Sequence, residues 1–153
     1  MQTFLPYESF MDSALCLDRS RLGKQRVEAM QILNALKANS KSRWRNHPAV
    51  RMWSGYEHAL GYYMNVVIQE WIDRGYKNTM EFYSFNGDTV EYPPWLGDKR
   101  LHFSHQCNLY RKDPDYYCRY FGNKLDRKAP YWWPVPLKNK KMNEEMIKYW
   151  SYV

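Results

Sequence analysis

Aromatic and aliphatic residues at helical spacing in the middle of the sequence constrain the fold more than any other feature. They recur every three or four positions, at Trp53, Tyr56, Leu60, Tyr63, Val67 and Trp71. This spacing places the side chains on one side of an α-helix, where they can form a core. Pro48 suits the first turn of such a helix, and Gly75 suits its end. The pattern therefore predicts one long central helix from Pro48 to about Arg74.

The remaining helical patterns are shorter and lie on both sides of this segment. They cover residues 9–17, 18–37, 101–112, a short stretch from 113 onwards, and 143–150. Turn-forming and polar residues at 39–46 and 86–97 indicate loops, and no segment alternates clearly between apolar and polar residues as a half-buried strand does. We predict a single all-α domain, residues 1–153, with about four to six helices around the central one.

The charge balance favours a polyanionic partner. Lysine and arginine total 23 against 16 aspartate and glutamate, which gives a formal net charge of +7. Nucleic acid is the commonest polyanion that basic proteins bind. The chain also contains 7 tryptophans and 14 tyrosines. Some of these rings must build the core, and the others are available to stack on unpaired bases or to line a base pocket.

Cysteine usage and hydropathy indicate the compartment. Cys16, Cys107 and Cys118 are odd in number and have no CxxC spacing, which favours free thiols in a reducing compartment. The first residues lack the basic segment and apolar run of a secretory signal. No uncharged apolar run is long enough to span a bilayer. We expect a soluble, cytoplasmic protein without membrane contact.

The most informative segment is the predicted second helix, which Asp18 can cap. Glu28 is the first acid after Asp18, and Arg21, Lys24 and Glu28 share one helical face. If DNA binds there, the cations meet phosphates and the carboxylate faces a sugar. The alternative is a solvated face with a Lys24–Glu28 pair worth about a few tenths of a kcal/mol. Four cations fall within eight residues of this helix, at Arg19, Arg21, Lys24 and Arg26.

Gly23 lies in the middle of the same predicted helix. A glycine there costs about 1 kcal/mol relative to alanine, which suggests that the position is needed for a close approach. The approaching group is either another helix or a nucleic-acid backbone.

Several short motifs follow one another along the chain and together resemble one enzyme family. They are Leu17–Leu22 with Val27 and Glu28, Ser54–His58, Glu70–Tyr76, Asp98–Leu109 and Tyr131–Trp133. The family is that of the phage-type pyrimidine-dimer DNA glycosylases, also called endonuclease V. Its arginine-rich first helix carries one essential glutamate, which falls on Glu28 without gaps. The start Met1–Pro6 and the segment Arg45–Pro48 also resemble a set of small proteins grouped with this family.

The resemblance implies the chemistry of base excision on double-stranded DNA. Breaking the bond between C1′ and the base builds positive charge on the sugar, which the carboxylate of Glu28 would stabilise. In the family, the N-terminal α-amine attacks the sugar and forms a Schiff base. Such amines keep a larger free-base fraction at neutral pH than lysine side chains do. The target base or its partner is typically flipped out of the stack.

The sequence departs from the family pattern near its start. The family exposes a small residue after removal of the first methionine, whereas Gln2 here favours retention of Met1. The stretch from Met1 to Glu28 is also longer, and Val27 replaces the arginine beside the glutamate. Two mechanisms remain open, namely attack by the Met1 amine and attack by a water molecule that Glu28 activates. The second gives a glycosylase without lyase activity.

A basic and aromatic segment precedes the predicted central helix. Arg43, Arg45 and His47 lie just before the helix start and can form a phosphate cradle there, and Trp44 can stack on a base. The alternative is a surface loop in which Trp44 packs onto the core.

Two further groups lie in the second half of the chain. His105, Asn108 and Arg111 follow one helical face and can contact DNA; the alternative is a polar solvent face. His102, His105 and Cys107 have a spacing that could bind a metal. A structural zinc needs four ligands, however, and no second pair of ligands is present. Three aromatics between prolines can line a base pocket, or they can form a strap that closes the core; they are Tyr131, Trp132 and Trp133.

The sequence as a whole predicts a DNA glycosylase, with or without lyase activity, that excises damaged or modified pyrimidines. Glu28 and Met1 are the predicted catalytic residues. No cofactor, metal or obligate protein partner is expected. A non-catalytic DNA-binding module on the same scaffold and an N-glycosidic enzyme acting on free nucleosides or nucleotides are the alternatives.

Overall fold

The computed structural model describes residues 1–151 and is helical throughout this range. Its elements are α1 (Phe10–Cys16), α2 (Arg19–Leu36), a 3-10 helix (Arg43–Asn46), α3 (Pro48–Arg51), α4 (Glu57–Asp73), α5 (Lys99–Lys112), α6 (Pro114–Phe121) and α7 (Lys140–Trp150). No strand occurs between residues 1 and 151. The all-α prediction is confirmed, although the described part has seven α-helices where about four to six were expected.

The additional helix arises because the predicted central helix is interrupted. α3 ends at Arg51 and α4 begins at Glu57, with a turn over residues 52–56 between them. Gly55 in this turn has a φ of 86°, a conformation that glycine adopts without a steric penalty. The continuous helix predicted from Pro48 is therefore wrong at its start. The apolar spacing hides the break because Trp53, within the turn, is fully buried.

The core forms where α2 packs along α4, the most extensive contact between two helices. Leu22, Ala29 and Ile32 of α2 are fully buried in the same cluster as Leu60 and Val67 of α4. Burying side chains of this size is the dominant favourable contribution to folding. The packing also fixes which face of α2 remains accessible.

Residues 2–6 are buried although they form no helix, and Thr3 and Leu5 are fully inaccessible. Their backbone groups need partners because an unpaired buried amide is costly. Side chains of distant helices supply these partners. The amide of Phe4 donates to Oε1 of Gln25 at 2.9 Å, and the amide of Leu5 donates to Nδ1 of His105 at 2.8 Å. The N-terminal segment is thus fixed between α2 and α5.

Two glycines allow close contacts between helices and aromatic side chains. A Cβ added to Gly61 of α4 would lie 2.2 Å from Cδ1 of Tyr83, and one added to Gly23 of α2 would lie 3.0 Å from Cζ3 of Trp71. The close neighbour of Gly23, left open by the sequence, is therefore a side chain of α4. Tyr83 is held in place because its amide donates to Asn65 at 2.7 Å and its hydroxyl pairs with His58 at 2.8 Å.

Gly61→Ala is expected to lower the free energy of unfolding by about 1–3 kcal/mol, because the anchored ring of Tyr83 cannot move aside. Urea unfolding followed by circular dichroism measures this change. Gly23→Ala serves as the control, since a mild overlap with Trp71 is offset by a gain of about 1 kcal/mol in helix propensity. If Gly61→Ala is as stable as the Gly23→Ala protein, Tyr83 is not held as described.

Candidate active site

Met1 and Glu28, the two predicted catalytic residues, line one cleft of about 560 Å³. The N-terminal segment, α2, the end of α5 and the segment after α6 form its walls. The residues that line it are Met1, Gln2, Phe4, Asp18, Ser20, Arg21, Lys24, Gln25, Glu28, Lys112, Asp113 and Tyr131. The cleft therefore brings together the N-terminal residue, carboxylates, cations and an aromatic side chain.

Gln25 connects the N-terminal segment to Glu28. Its side chain is 1% exposed, and all four of its hydrogen-bonding positions are used. Nε2 donates to the backbone oxygen of Gln2 at 2.9 Å and to Oε2 of Glu28 at 2.8 Å. Oε1 accepts from the amide of Phe4 at 2.9 Å and from the hydroxyl of Tyr63 at 2.6 Å. A fully satisfied buried network of this kind fixes the geometry of its members.

Glu28 is half-buried and keeps one oxygen available. Gln25 donates to Oε2, whereas Oε1 has no hydrogen-bond partner within residues 1–151. The Lys24–Glu28 pair that the sequence offered as an alternative is not formed in this range. The carboxylate is thus oriented by one neutral donor and has a free oxygen at the cleft.

Arg21 is fixed at the cleft by the residue that caps α2. Asp18 accepts hydrogen bonds from the amide of Arg21 at 3.4 Å and from its guanidinium at 3.0 Å, and the cap predicted at this residue is confirmed. The hydroxyl of Tyr117 also donates to Asp18. Burial raises the pKa of Asp18, but these hydrogen bonds outweigh it and hold the pKa below its usual range. Asp18 therefore stays ionised and keeps Arg21 in place.

Arg19 and Arg26 do not line the cleft. They are seven positions apart, so they share a face of α2, and at about 100° per residue this face lies about 160° from that of Arg21. Their guanidinium groups stack on aromatic rings, Arg19 at 4.7 Å from Tyr76 and Arg26 at 4.3 Å from Trp71. The predicted cation cluster of α2 is divided between two faces of the helix.

The segment from Arg43 to His47 forms a short 3-10 helix and the cap of α3. Arg43, Trp44 and Arg45 are exposed on the 3-10 helix, so the alternative in which Trp44 packs onto the core is not observed. Nδ1 of His47 accepts from the amide of Ala49 at 3.0 Å and caps α3. Burial and the nearby N-terminal ammonium lower the pKa of His47. His47, the last residue of the predicted cradle, is thus close enough to the N-terminal ammonium to be affected by its charge.

Two of the three predicted contacts on α5 are wrong. His105 and Asn108 are each 1% exposed, so neither can reach DNA. Their polar groups serve the core: His105 accepts from the N-terminal segment, and Asn108 donates to the backbone oxygens of Ser104 and Ala129. Burial lowers the pKa of His105 to about 3. Arg111 is exposed and remains a candidate contact.

Lys112 is a cleft residue that the sequence reasoning missed. It is the last residue of α5, directly after Arg111, and no periodic pattern distinguished it from a solvated helix end. Burial and the surrounding cations, Arg21 foremost among them, lower the pKa of Lys112. The cleft therefore contains three amines, those of Met1, Lys24 and Lys112.

The three predicted aromatic residues after α6 have different surroundings. Tyr131 lines the cleft, with its ring 5.6 Å from that of His105. Trp132 lies under the guanidinium of Arg100 at 4.3 Å, and Trp133 contacts the ring of His47. All three are half-buried against the core. The segment thus closes the core, as one alternative proposed, and also contributes Tyr131 to the cleft.

Two further features concern metals and membranes. Within residues 1–151, no group of three or more histidine, cysteine, aspartate or glutamate side chains has an arrangement that can hold a metal ion. No helix in this part of the chain has both the length and the apolar character needed to cross a membrane.

An amine and an oriented carboxylate in one cleft, surrounded by cations, define an arrangement suited to chemistry on a polyanion. Comparison with protein-family models matches residues 1–84 to the pyrimidine dimer DNA glycosylases. The match spans more than half of the 153 residues, and the chain belongs to this family. It includes the N-terminal segment, α2 and α4, whereas Lys112 and Tyr131 lie beyond it. Comparisons with curated proteins and with solved structures gave no match.

Proposed function

We propose that this protein is a DNA glycosylase that excises damaged or modified pyrimidines from double-stranded DNA. Glu28 is the catalytic carboxylate, and the α-amine of Met1 is the nucleophile. The observation that carries the proposal is the connection through Gln25, which hydrogen-bonds to the N-terminal segment and to Glu28 at once. Because Met1 directly precedes Gln2 and lines the same cleft as Glu28, we take its amine rather than a water molecule as the attacking group.

The reaction follows from the two groups in the cleft. The amine nitrogen forms a bond to C1′, the bond between C1′ and N1 breaks, and its electron pair leaves with the base. Glu28 stabilises the positive charge that develops on the sugar. Loss of a proton from the amine and opening of the ring give a Schiff base. Removal of a C2′ proton then expels the 3′ phosphate, so the amine mechanism includes lyase activity.

The cations around the cleft are proposed to bind the phosphates on both sides of the target nucleotide. Arg21, Lys24 and Lys112 line the cleft itself, and Arg43 and Arg45 are exposed on the 3-10 helix before α3. Contacts of this kind position the duplex without reading its sequence.

Other residues extend the proposed interface beyond the cleft. Arg19 and Arg26 contribute on the second face of α2, and Arg111 contributes beside Lys112. Tyr131 forms a wall against which a flipped base can stack. Trp44, 40% exposed and 5.4 Å from the guanidinium of Arg43, offers a second stacking surface.

The proposal is tested with a panel of labelled duplexes that carry a cyclobutane pyrimidine dimer, 5-hydroxymethyluracil, 5-formyluracil or no lesion. After incubation, each sample is divided between alkali treatment and borohydride reduction. We expect cleavage of at least one modified duplex and a covalent adduct trapped by borohydride. Alkali-dependent cleavage without an adduct would show that the nucleophile is a water molecule and not the Met1 amine. Tight binding without any cleavage would make the protein a DNA-binding module.

A further inference from the structure

Gln2 has an amide group that the mechanism above does not use. The residue is 5% exposed and lines the cleft. Its Oε1 accepts from the amide of Thr3 at 3.0 Å, and because that amide is a donor, the orientation of the side chain is fixed. Nε2 is then the free end, and it has no hydrogen-bond partner within residues 1–151. Leaving a buried donor without a partner costs about 1–3 kcal/mol, so an acceptor from a bound molecule would relieve a real penalty.

The position of this donor relative to the catalytic groups is determined by the backbone. Gln2 directly follows Met1, and its backbone oxygen accepts from Gln25, which also donates to Glu28. The donor is therefore linked to both groups proposed to act on C1′, to Met1 through the chain and to Glu28 through Gln25. A substrate atom that meets it must lie close to the glycosidic bond.

Pyrimidine bases carry a suitable acceptor next to the glycosidic bond. Their C2 carbonyl is adjacent to N1, the atom that bears the glycosidic bond. When that bond breaks, the electron pair spreads from N1 onto this oxygen, so a donor there stabilises the departing base more than the intact nucleotide. This inference rests on the function proposed above.

We propose that the side-chain amide of Gln2 donates a hydrogen bond to O2 of the target pyrimidine and stabilises the base as a leaving group. The residue that favours retention of Met1 thus also supplies a catalytic donor. It acts on bond cleavage and has no role once the base has left.

Two variants test this role, and both keep a large second residue, so Met1 is retained. Gln2→Met preserves the length and removes the donor. Gln2→Glu keeps an oxygen for the amide of Thr3 and replaces the donor by an acceptor. Each is expected to slow release of 5-hydroxymethyluracil by about 10- to 100-fold, equivalent to about 1.4–2.7 kcal/mol. Release of 5-formyluracil should be less affected, because its electron-withdrawing substituent already stabilises the leaving base.

A duplex with a preformed abasic site is the control, because it has no base to release. Both variants should cleave it, and be trapped on it by borohydride, as the wild type is. Equal losses on abasic and base-containing duplexes would show that Gln2 is only structural and overturn the inference. Base release by Gln2→Met at the wild-type rate would overturn it as well, with the proposed function intact. A wild type that releases no base would instead refute the proposed function.

Discussion

Glu28→Gln is expected to slow base release by about 10²–10⁴-fold, while the affinity for duplex DNA stays the same or rises slightly. The loss follows because an amide carries no negative charge to stabilise the developing oxocarbenium ion. Affinity is preserved because removing one acid among phosphate-binding cations cannot weaken electrostatic binding. Single-turnover base release and fluorescence anisotropy, both at one fixed salt concentration, measure the two effects.

The substitution should leave the fold intact, since the oxygen of the new amide can still accept from Nε2 of Gln25. Glu144→Gln, at an exposed position on α7, is the matched control, because it changes the net charge by the same amount, from +7 to +8. It should retain full activity. Full base release by Glu28→Gln would remove Glu28 from the mechanism. A parallel loss of DNA affinity would mean that the variant is misfolded.

The helix that carries Glu28 was predictable because all of its signals are local. The cap at Asp18, the apolar spacing and the shared face of Arg21 and Glu28 depend only on residues within a few turns of one another. The structure reproduces each of them. No local pattern indicated, however, that Arg19 and Arg26 would each be stacked on an aromatic ring.

The cleft itself was not predictable, because it depends on contacts between distant parts of the chain. The N-terminal segment has no periodic pattern, and its partner His105 is 100 residues away. The contact of His105 with Leu5 explains the error at His105, and the contacts of Asn108 with the backbone oxygens of Ser104 and Ala129 explain the error at Asn108. Their spacing correctly indicated one face of a helix, but nothing in the spacing shows whether a polar face meets solvent or an unpaired backbone.

The longer N-terminal segment has a structural role that the sequence did not reveal. From the sequence, Gln2 and the longer start left two nucleophiles open, the Met1 amine and a water molecule activated by Glu28. In the structure, residues Gln2 to Leu5 are buried, and Met1 lines the same cleft as Glu28. The backbone of this segment is paired with side chains of α2 and α5, so the length of the segment is used for anchoring. The departure from the family pattern is therefore compatible with the family's chemistry.

Acetylation of the Met1 amine is expected to abolish trapping by borohydride and cleavage of abasic sites, because an amide nitrogen cannot form a Schiff base. A well-oriented nucleophile acts with an effective molarity of about 10⁵ M or more, so the trapped adduct should fall at least about 1000-fold. The acetylated protein is compared with the same chain carrying a free N-terminus, by gel analysis of the adduct and peptide mapping.

Lys112→Gln with a free N-terminus is the control, and it should still be trapped at Met1. An adduct that persists on Lys112 after acetylation would move the nucleophile to that lysine. Base release that proceeds unchanged without any adduct would assign the attack to water activated by Glu28, because Gln25 orients this carboxylate through Oε2 and leaves its Oε1 available to a water molecule.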